Sequence, residues 1–161
     1  MRVASILDES VVDGLGIRVV VFFQGCSHMC VGCHNPALLP FEGGEEYSVE
    51  QIGEEILKCL TKLHRGVTLS GGDPVFQAQE LEELIAYLRE RKPDINIWLY
   101  TGFTFEKIKD MPFLKGIDVL IDGQFEEAQK DLMLKFRGSA NQRVIDVKKS
   151  LQAGEVIQLD L

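Results

Sequence analysis

Arg18-Val19-Val20-Val21-Phe22-Phe23-Gln24-Gly25-Cys26-Ser27-His28-Met29-Cys30-Val31-Gly32-Cys33 decides how the rest of the chain is read. After Arg18 the first residues are all β-branched or aromatic, the pattern of a strand buried on both faces. The second half carries three cysteines at C-x3-C-x2-C spacing. A strand therefore delivers a cysteine loop at its C-terminal end. Runs of the same strand type recur at Val67–Ser70, Ile95–Tyr100, Ile117–Asp122 and Arg143–Val147. Further short strands are predicted at Val3–Leu7 and Val156–Leu159.

Helical patterns separate these runs. Ser48 with Gln51 three residues on forms a capping box, followed by the apolar stripe Val49, Ile52, Ile56, Leu60 and Leu63. Gln77 to Arg91 places Leu81, Leu84, Ile85 and Leu88 on one face, and Pro93 closes it. Thr104 is positioned to cap a short helix ending before Pro112, and a last helix is predicted over Glu126 to Phe136. Strands alternating with helices imply βαβ units and a mostly parallel sheet. A closed eight-unit barrel takes about 250 residues, and the chain has 161. The expected fold is thus α/β: a partial, open β/α barrel with a mostly parallel sheet of five to six strands, one domain over residues 1–161. Sites in such sheets lie at the C-terminal strand edges.

Composition narrows the function. The chain is 45% hydrophobic and 26% charged, with net charge −8, which suits a packed globular domain and argues against nucleic-acid binding. No apolar run is long enough to span a membrane, and the start lacks a signal-peptide pattern, so a cytoplasmic location is expected. The charge is uneven: Ala128 to Ser150 holds Lys130, Lys135, Arg137, Arg143, Lys148 and Lys149 against Asp131 and Asp146. This segment is either a solvated surface or a docking patch for an anionic partner.

Cys26, Cys30 and Cys33 crowd eight positions, which suits metal chemistry rather than a disulfide framework. Three thiolates on a tight loop can hold three irons of a cubane cluster and leave the fourth open to a small molecule. The alternative is a structural zinc site, whose fourth ligand would be His28, His34 or Cys59. Cys59 lies at the edge of a helix stripe and reads as core packing. His28 and His34 read as hydrogen-bonding groups beside the loop, and His64 as a local group at a helix end.

The surroundings of the cysteines resemble those of the radical S-adenosylmethionine (SAM) superfamily. Asp13-Gly14-Leu15-Gly16-Ile17-Arg18 and Phe23-Gln24-Gly25-Cys26 are similar to the lead-in of glycyl-radical-enzyme activases, and Cys33-His34-Asn35-Pro36 resembles the segment after their third cysteine. Ser70-Gly71-Gly72-Asp73-Pro74 resembles their SGG(E/D)P motif. Tyr100-Thr101-Gly102-Phe103-Thr104, Asp122-Gly123-Gln124-Phe125 and Gly138-Ser139-Ala140-Asn141-Gln142-Arg143 resemble the activases of anaerobic ribonucleotide reductase. Leu15 and Gln124 stand where the family commonly has proline.

The resemblance implies a [4Fe–4S] cluster on Cys26, Cys30 and Cys33 and SAM as its ligand. Reductive cleavage would give a 5′-deoxyadenosyl radical, which takes hydrogen from a glycine of a glycyl-radical enzyme, anaerobic ribonucleotide reductase. Gly71, Gly72, Asp73 and Pro74 would meet SAM. Tyr100 would line the adenosine pocket or simply pack in its strand, Asp122 would take ribose hydroxyls, hold a cation or end a turn, and Arg143 would pair with the SAM carboxylate or lie at the surface. Arg18 would order the cysteine loop. The electron would come from a flavodoxin or ferredoxin docking on the basic segment, at Lys148 and Lys149. Two alternatives remain open: a radical SAM enzyme acting on a small molecule such as a modified-purine precursor, and a non-enzymatic zinc or iron–sulfur module.

Overall fold

The computed structural model describes residues 1–33 and 35–161. Among them a single sheet comprises β1 (Arg2–Ser10), β2 (Ile17–Phe23), β3 (Glu45–Glu46), β4 (His64–Gly71), β5 (Asn96–Tyr100), β6 (Val119–Asp122) and β7 (Arg143–Asp146). The strand order is β3-β1-β2-β4-β5-β6-β7. The four strands β2, β4, β5 and β6 run parallel, while β1, β3 and β7 join antiparallel. The sheet is open, as expected, but it has seven strands and is parallel only in its middle. The central strands are buried on both faces, which is why they read as continuous apolar runs rather than alternating ones.

Parallel neighbours need crossovers, and the helices supply them. Helix α1 (Val49–Cys59) starts with the capping box: Gln51 N–H donates to Ser48 Oγ at 3.1 Å and Ser48 N–H to Gln51 Oε1 at 2.8 Å. Ile52 and Ile56 are buried, whereas Leu63 lies beyond the helix and is exposed. Helix α2 (Ala78–Arg91) follows a 3-10 turn at Pro74–Gln77 and buries Leu81, Leu84, Ile85 and Leu88. Helix α3 (Phe105–Ile108) begins after Thr104, yet the Thr104 side chain makes no cap bond; Asp122 Oδ2 accepts Phe105 N–H instead, at 2.7 Å.

Two sequence expectations fail here. Residues 126–136 hold a 3-10 turn at Glu127–Gln129 and then irregular chain, not a helix. Leu132 and Met133 are 84% and 89% exposed, while Phe136 packs against the sheet from the segment's end, so the apolar residues share no buried helical face that would stabilise a helix. It folds back on itself instead, with Asp131 N–H donating to Gly138 O at 3.2 Å. The last helix comes later, as α4 (Val147–Ala153), capped by Asp146 and ended by Gly154 at φ 72°. Val156–Leu159 forms one isolated bridge, Gln158 to Ile145, in place of a strand.

Side chains alternate across the sheet. Ile97, Leu99, Leu120 and Ile145 pack with the helices. Trp98, Val119, Ile121 and Val144 face the other way and pack with Tyr100, Phe136 and Leu159. Buried Arg18 lies on this second face, donating to Thr68 Oγ1 (2.8 Å), Val67 O (2.9 Å) and Asn96 O (2.9 Å), with Trp98 at 5.3 Å. Burial pulls its pKa down to about 10, which leaves it cationic at neutral pH. It also donates to Leu15 O. Arg18 therefore orders the turn before β2 rather than the cysteine loop after it.

Candidate functional site

The C-terminal edges of the parallel strands converge on one cleft of about 550 Å³. The cysteine loop follows β2, Gly72 and Asp73 follow β4, Thr101 and Gly102 follow β5, and Gly123 and Gln124 follow β6. Because β7 is antiparallel, it starts at this same edge, with Arg143 opposite Asp122. Cys26, Cys30, Cys33, Gly71, Gly72 and Tyr100 all line the cleft. Its far wall is made by the segment 124–142, chiefly Asp131, Leu132, Leu134, Phe136, Arg137 and Gly138.

Asp73 ties the near wall together. It is 1% exposed and accepts from Val75 N–H (3.0 Å), Thr101 Oγ1 (2.9 Å) and Gly102 N–H (2.8 Å), with His28 Nε2 at 2.6 Å. One carboxylate thus caps its own turn, anchors the end of β5 and pins the cysteine loop. His28 also packs against Phe76 and Phe103, with ring centroids at 5.1 and 4.7 Å. Gly102 leaves room for that ring, since a Cβ there would lie 2.5 Å from His28 Cδ2. Gly71 sits at φ 113°, and a Cβ on it would come within 2.3 Å of Phe23 N. The glycines of this turn are needed first for backbone approach to β2 and the cysteine loop.

The other sequence candidates separate. Asp73 and Pro74 are buried behind the cleft lining. Tyr100 lines the cleft, its hydroxyl donating to Phe136 O at 2.7 Å, and burial raises its pKa. Asp122 and Arg143 are outside the lining and engage each other: Arg143 donates to Asp122 Oδ1 at 3.1 Å and Oδ2 at 2.6 Å, and to Glu106 at 2.8 Å. Asp122, then Glu106, hold the Arg143 guanidinium above its ordinary pKa. Antiparallel register brings Asp122 and Arg143 face to face and closes the pair, which leaves little of Arg143 for a ligand. The basic segment is likewise divided. Lys148 and Lys149 lie on α4, past the far end of β7 from the cysteines, and Lys148 Nζ stands 3.5 Å from Asp118.

The donor set suits an iron–sulfur cluster. Cys59 is not part of the cleft and packs against the core beside Glu55. In a cubane each thiolate holds a different iron, and Cys26, Cys30 and Cys33, lining one cleft, can serve three of the four. Burial pushes the Cys26 thiol up to about 11 and raises Cys30 as well. Iron binding must therefore displace thiol protons. His34 lies outside the described residues.

The pairing of His28 with Asp73 was not legible in the sequence, because 45 positions separate the two. Arg137 stands in the sequence only as one charge of the basic segment, yet it lines the cleft. No local motif marks it.

Comparison with known proteins supplies the family. Residues 12–145 match the family model for the 4Fe-4S single cluster domain. The chain is 40% identical over 138 residues to the anaerobic ribonucleoside-triphosphate reductase-activating protein of Enterobacteria phage T4, covering 83% of this chain and 86% of the relative. It is 40% identical over 138 residues to the protein of that name from Vibrio cholerae, covering 82% and 89%. The Salmonella typhi protein of that name is 33% identical over 151 residues, covering 89% and 97%. A cysteine loop at the parallel-strand edge, a match over most of the chain and these relatives together place the chain in the 4Fe-4S single cluster family of anaerobic ribonucleoside-triphosphate reductase-activating proteins.

Proposed function

We propose that this chain cleaves SAM reductively at a [4Fe–4S] cluster held by Cys26, Cys30 and Cys33, and so generates a glycyl radical on an anaerobic ribonucleoside-triphosphate reductase. The observation that carries this reading is the set of three cysteines lining one cleft, with the fourth cysteine of the chain elsewhere. When bound, the cluster supplies the electron that splits SAM into methionine and a 5′-deoxyadenosyl radical able to take hydrogen from glycine. The open sheet is read as the partial barrel that the family resemblance implies.

The chain's own residues do the positioning. Asp73, through His28, fixes the cysteine loop against the ends of β4 and β5. Gly71 and Gly72 bring bare backbone to the cleft, where carbonyls can accept from the ammonium of SAM. Tyr100 offers an apolar ring face, its hydroxyl already held by Phe136 O. The cleft mouth favours a polypeptide substrate over a small molecule. Val12, Met29, Val31, Leu132 and Met133 are each more than two-thirds exposed; Val12 and Leu132 line the cleft itself, and such apolar exposure marks protein contact. A flavodoxin or ferredoxin is the proposed electron donor. Lys148 and Lys149 are poorly placed to receive it, at the opposite sheet edge from the cysteines.

The test is anaerobic reconstitution followed by dithionite-driven SAM cleavage, read as 5′-deoxyadenosine. A glycyl radical doublet on added reductase should then appear by electron paramagnetic resonance. Cluster-dependent product with that signal is the expected result. A colourless, zinc-loaded protein that forms no product would overturn the reading.

A further inference from the structure

Arg137 is a cation in the cleft that no other described residue satisfies. Its Nε is buried without a hydrogen-bond partner, and no ion pair or hydrogen bond to it exists among the described residues. The other arginines near the core are held: Arg18 by carbonyls and Thr68, Arg89 by Asp118 and carbonyls, Arg143 by Asp122 and Glu106. Asp131, the acid on the same wall, turns into its own loop and accepts Met133 N–H at 2.9 Å. Buried donors are ordinarily paired, and a guanidinium has five N–H groups and no acceptor capacity. An oxyanion is therefore its natural complement, and a carboxylate matches its planar fork.

We propose that Arg137 binds the carboxylate of SAM, the role that the family resemblance implies for Arg143. The assignment rests on SAM being the ligand of this cleft. Arg137 shares the cleft with Cys26, Cys30 and Cys33, and SAM carries one anionic group. Arg143 donates instead to two carboxylates of the protein itself.

The test is anaerobic equilibrium dialysis of the cluster-loaded protein with SAM and with decarboxylated SAM, on wild type, Arg137→Gln and Arg137→Lys. Arg137→Gln should weaken SAM binding about 10- to 100-fold, the value of a charge-assisted bidentate contact. It should leave binding of decarboxylated SAM unchanged, and Arg137→Lys should recover part of the loss. Equal weakening of both ligands would show a general effect on the cleft and overturn the assignment. Unchanged SAM binding overturns it as well, and a loss of affinity for the reductase alone would then give Arg137 to a partner carboxylate. A wild-type holoprotein that binds neither ligand, though its cluster is intact, would overturn the functional reading itself and the assignment with it.

Discussion

The two walls of the cleft are built on opposite terms. On the wall made by β2, β4 and β5, Asp73 takes up donors from three segments and His28 is clamped between aromatic rings. On the wall made by residues 124–142, Arg137 Nε and Asn141 Oδ1 are buried without partners among the described residues. The same wall holds Phe136 at φ 63° and exposes Leu132 and Met133. A wall whose polar groups are saturated is rigid and specified by the chain alone. A wall with unmet polar groups and exposed apolar side chains is completed by something else. The first wall sets where the cysteines stand, and the second is left to meet what enters.

The comparison is broken most severely at the cysteines. Alanine at Cys26, Cys30 or Cys33 should each abolish both bound iron and SAM cleavage, while Cys59→Ala keeps both; iron content and 5′-deoxyadenosine read the difference. Retained activity in any of the first three would remove the ligand assignment. Next comes the saturated wall. Asp73→Ala strands several buried donors and should lower the unfolding free energy by about 3 kcal/mol, measured by urea denaturation. A loss under about 0.5 kcal/mol would mean that this wall is not held as described.

The two arginines sharpen the contrast further. Arg143→Gln leaves Asp122 buried beside a neutral partner and should cost about 1–2 kcal/mol. Arg137→Gln should change stability by less than about 0.5 kcal/mol, as at sites without partners. Equal costs would erase the distinction between the walls. The smallest effect belongs to Glu106, which is 56% exposed in its pair with Arg143. Its pKa is lowered, chiefly by the hydrogen bond from Arg143. The stability it adds is present above the unfolded carboxylate pKa and is lost as pH falls through the lower folded value. Glu106→Gln should therefore remove a few tenths of a kcal/mol at neutral pH and flatten that part of the acid unfolding curve.

Much of this architecture was legible in the chain. Val19 to Phe23 and Val67 to Leu69 read as buried strands because both faces are covered. Helix α1 was readable from Ser48 and Gln51, whose reciprocal bonds are local. The site's location followed from parallel strand order, which brings successive strand ends to one edge. Contacts across the sheet were less accessible. The role of Arg143 turned on the antiparallel register of β7 against β6, which no local pattern encodes. The expected helix at 126–136 failed because Leu132 and Met133 found no surface to bury against, while Phe136 alone was taken up by the sheet. Arg137 stayed hidden because its significance lies in the partners it lacks.

One consequence of the reversed last strand concerns how such a protein can diversify. Residues 123–142 leave and rejoin the sheet at neighbouring positions, fastened where Asp122 meets Arg143. The excursion is a closed loop hung from a fixed clasp. Lengthening a flexible loop twofold costs only about 0.6 kcal/mol. Insertions and substitutions here can reshape what the protein meets while the strands carrying the cysteines stay in register. Evolution can thus vary the surface this segment presents without rebuilding the strand edge that carries the cysteines.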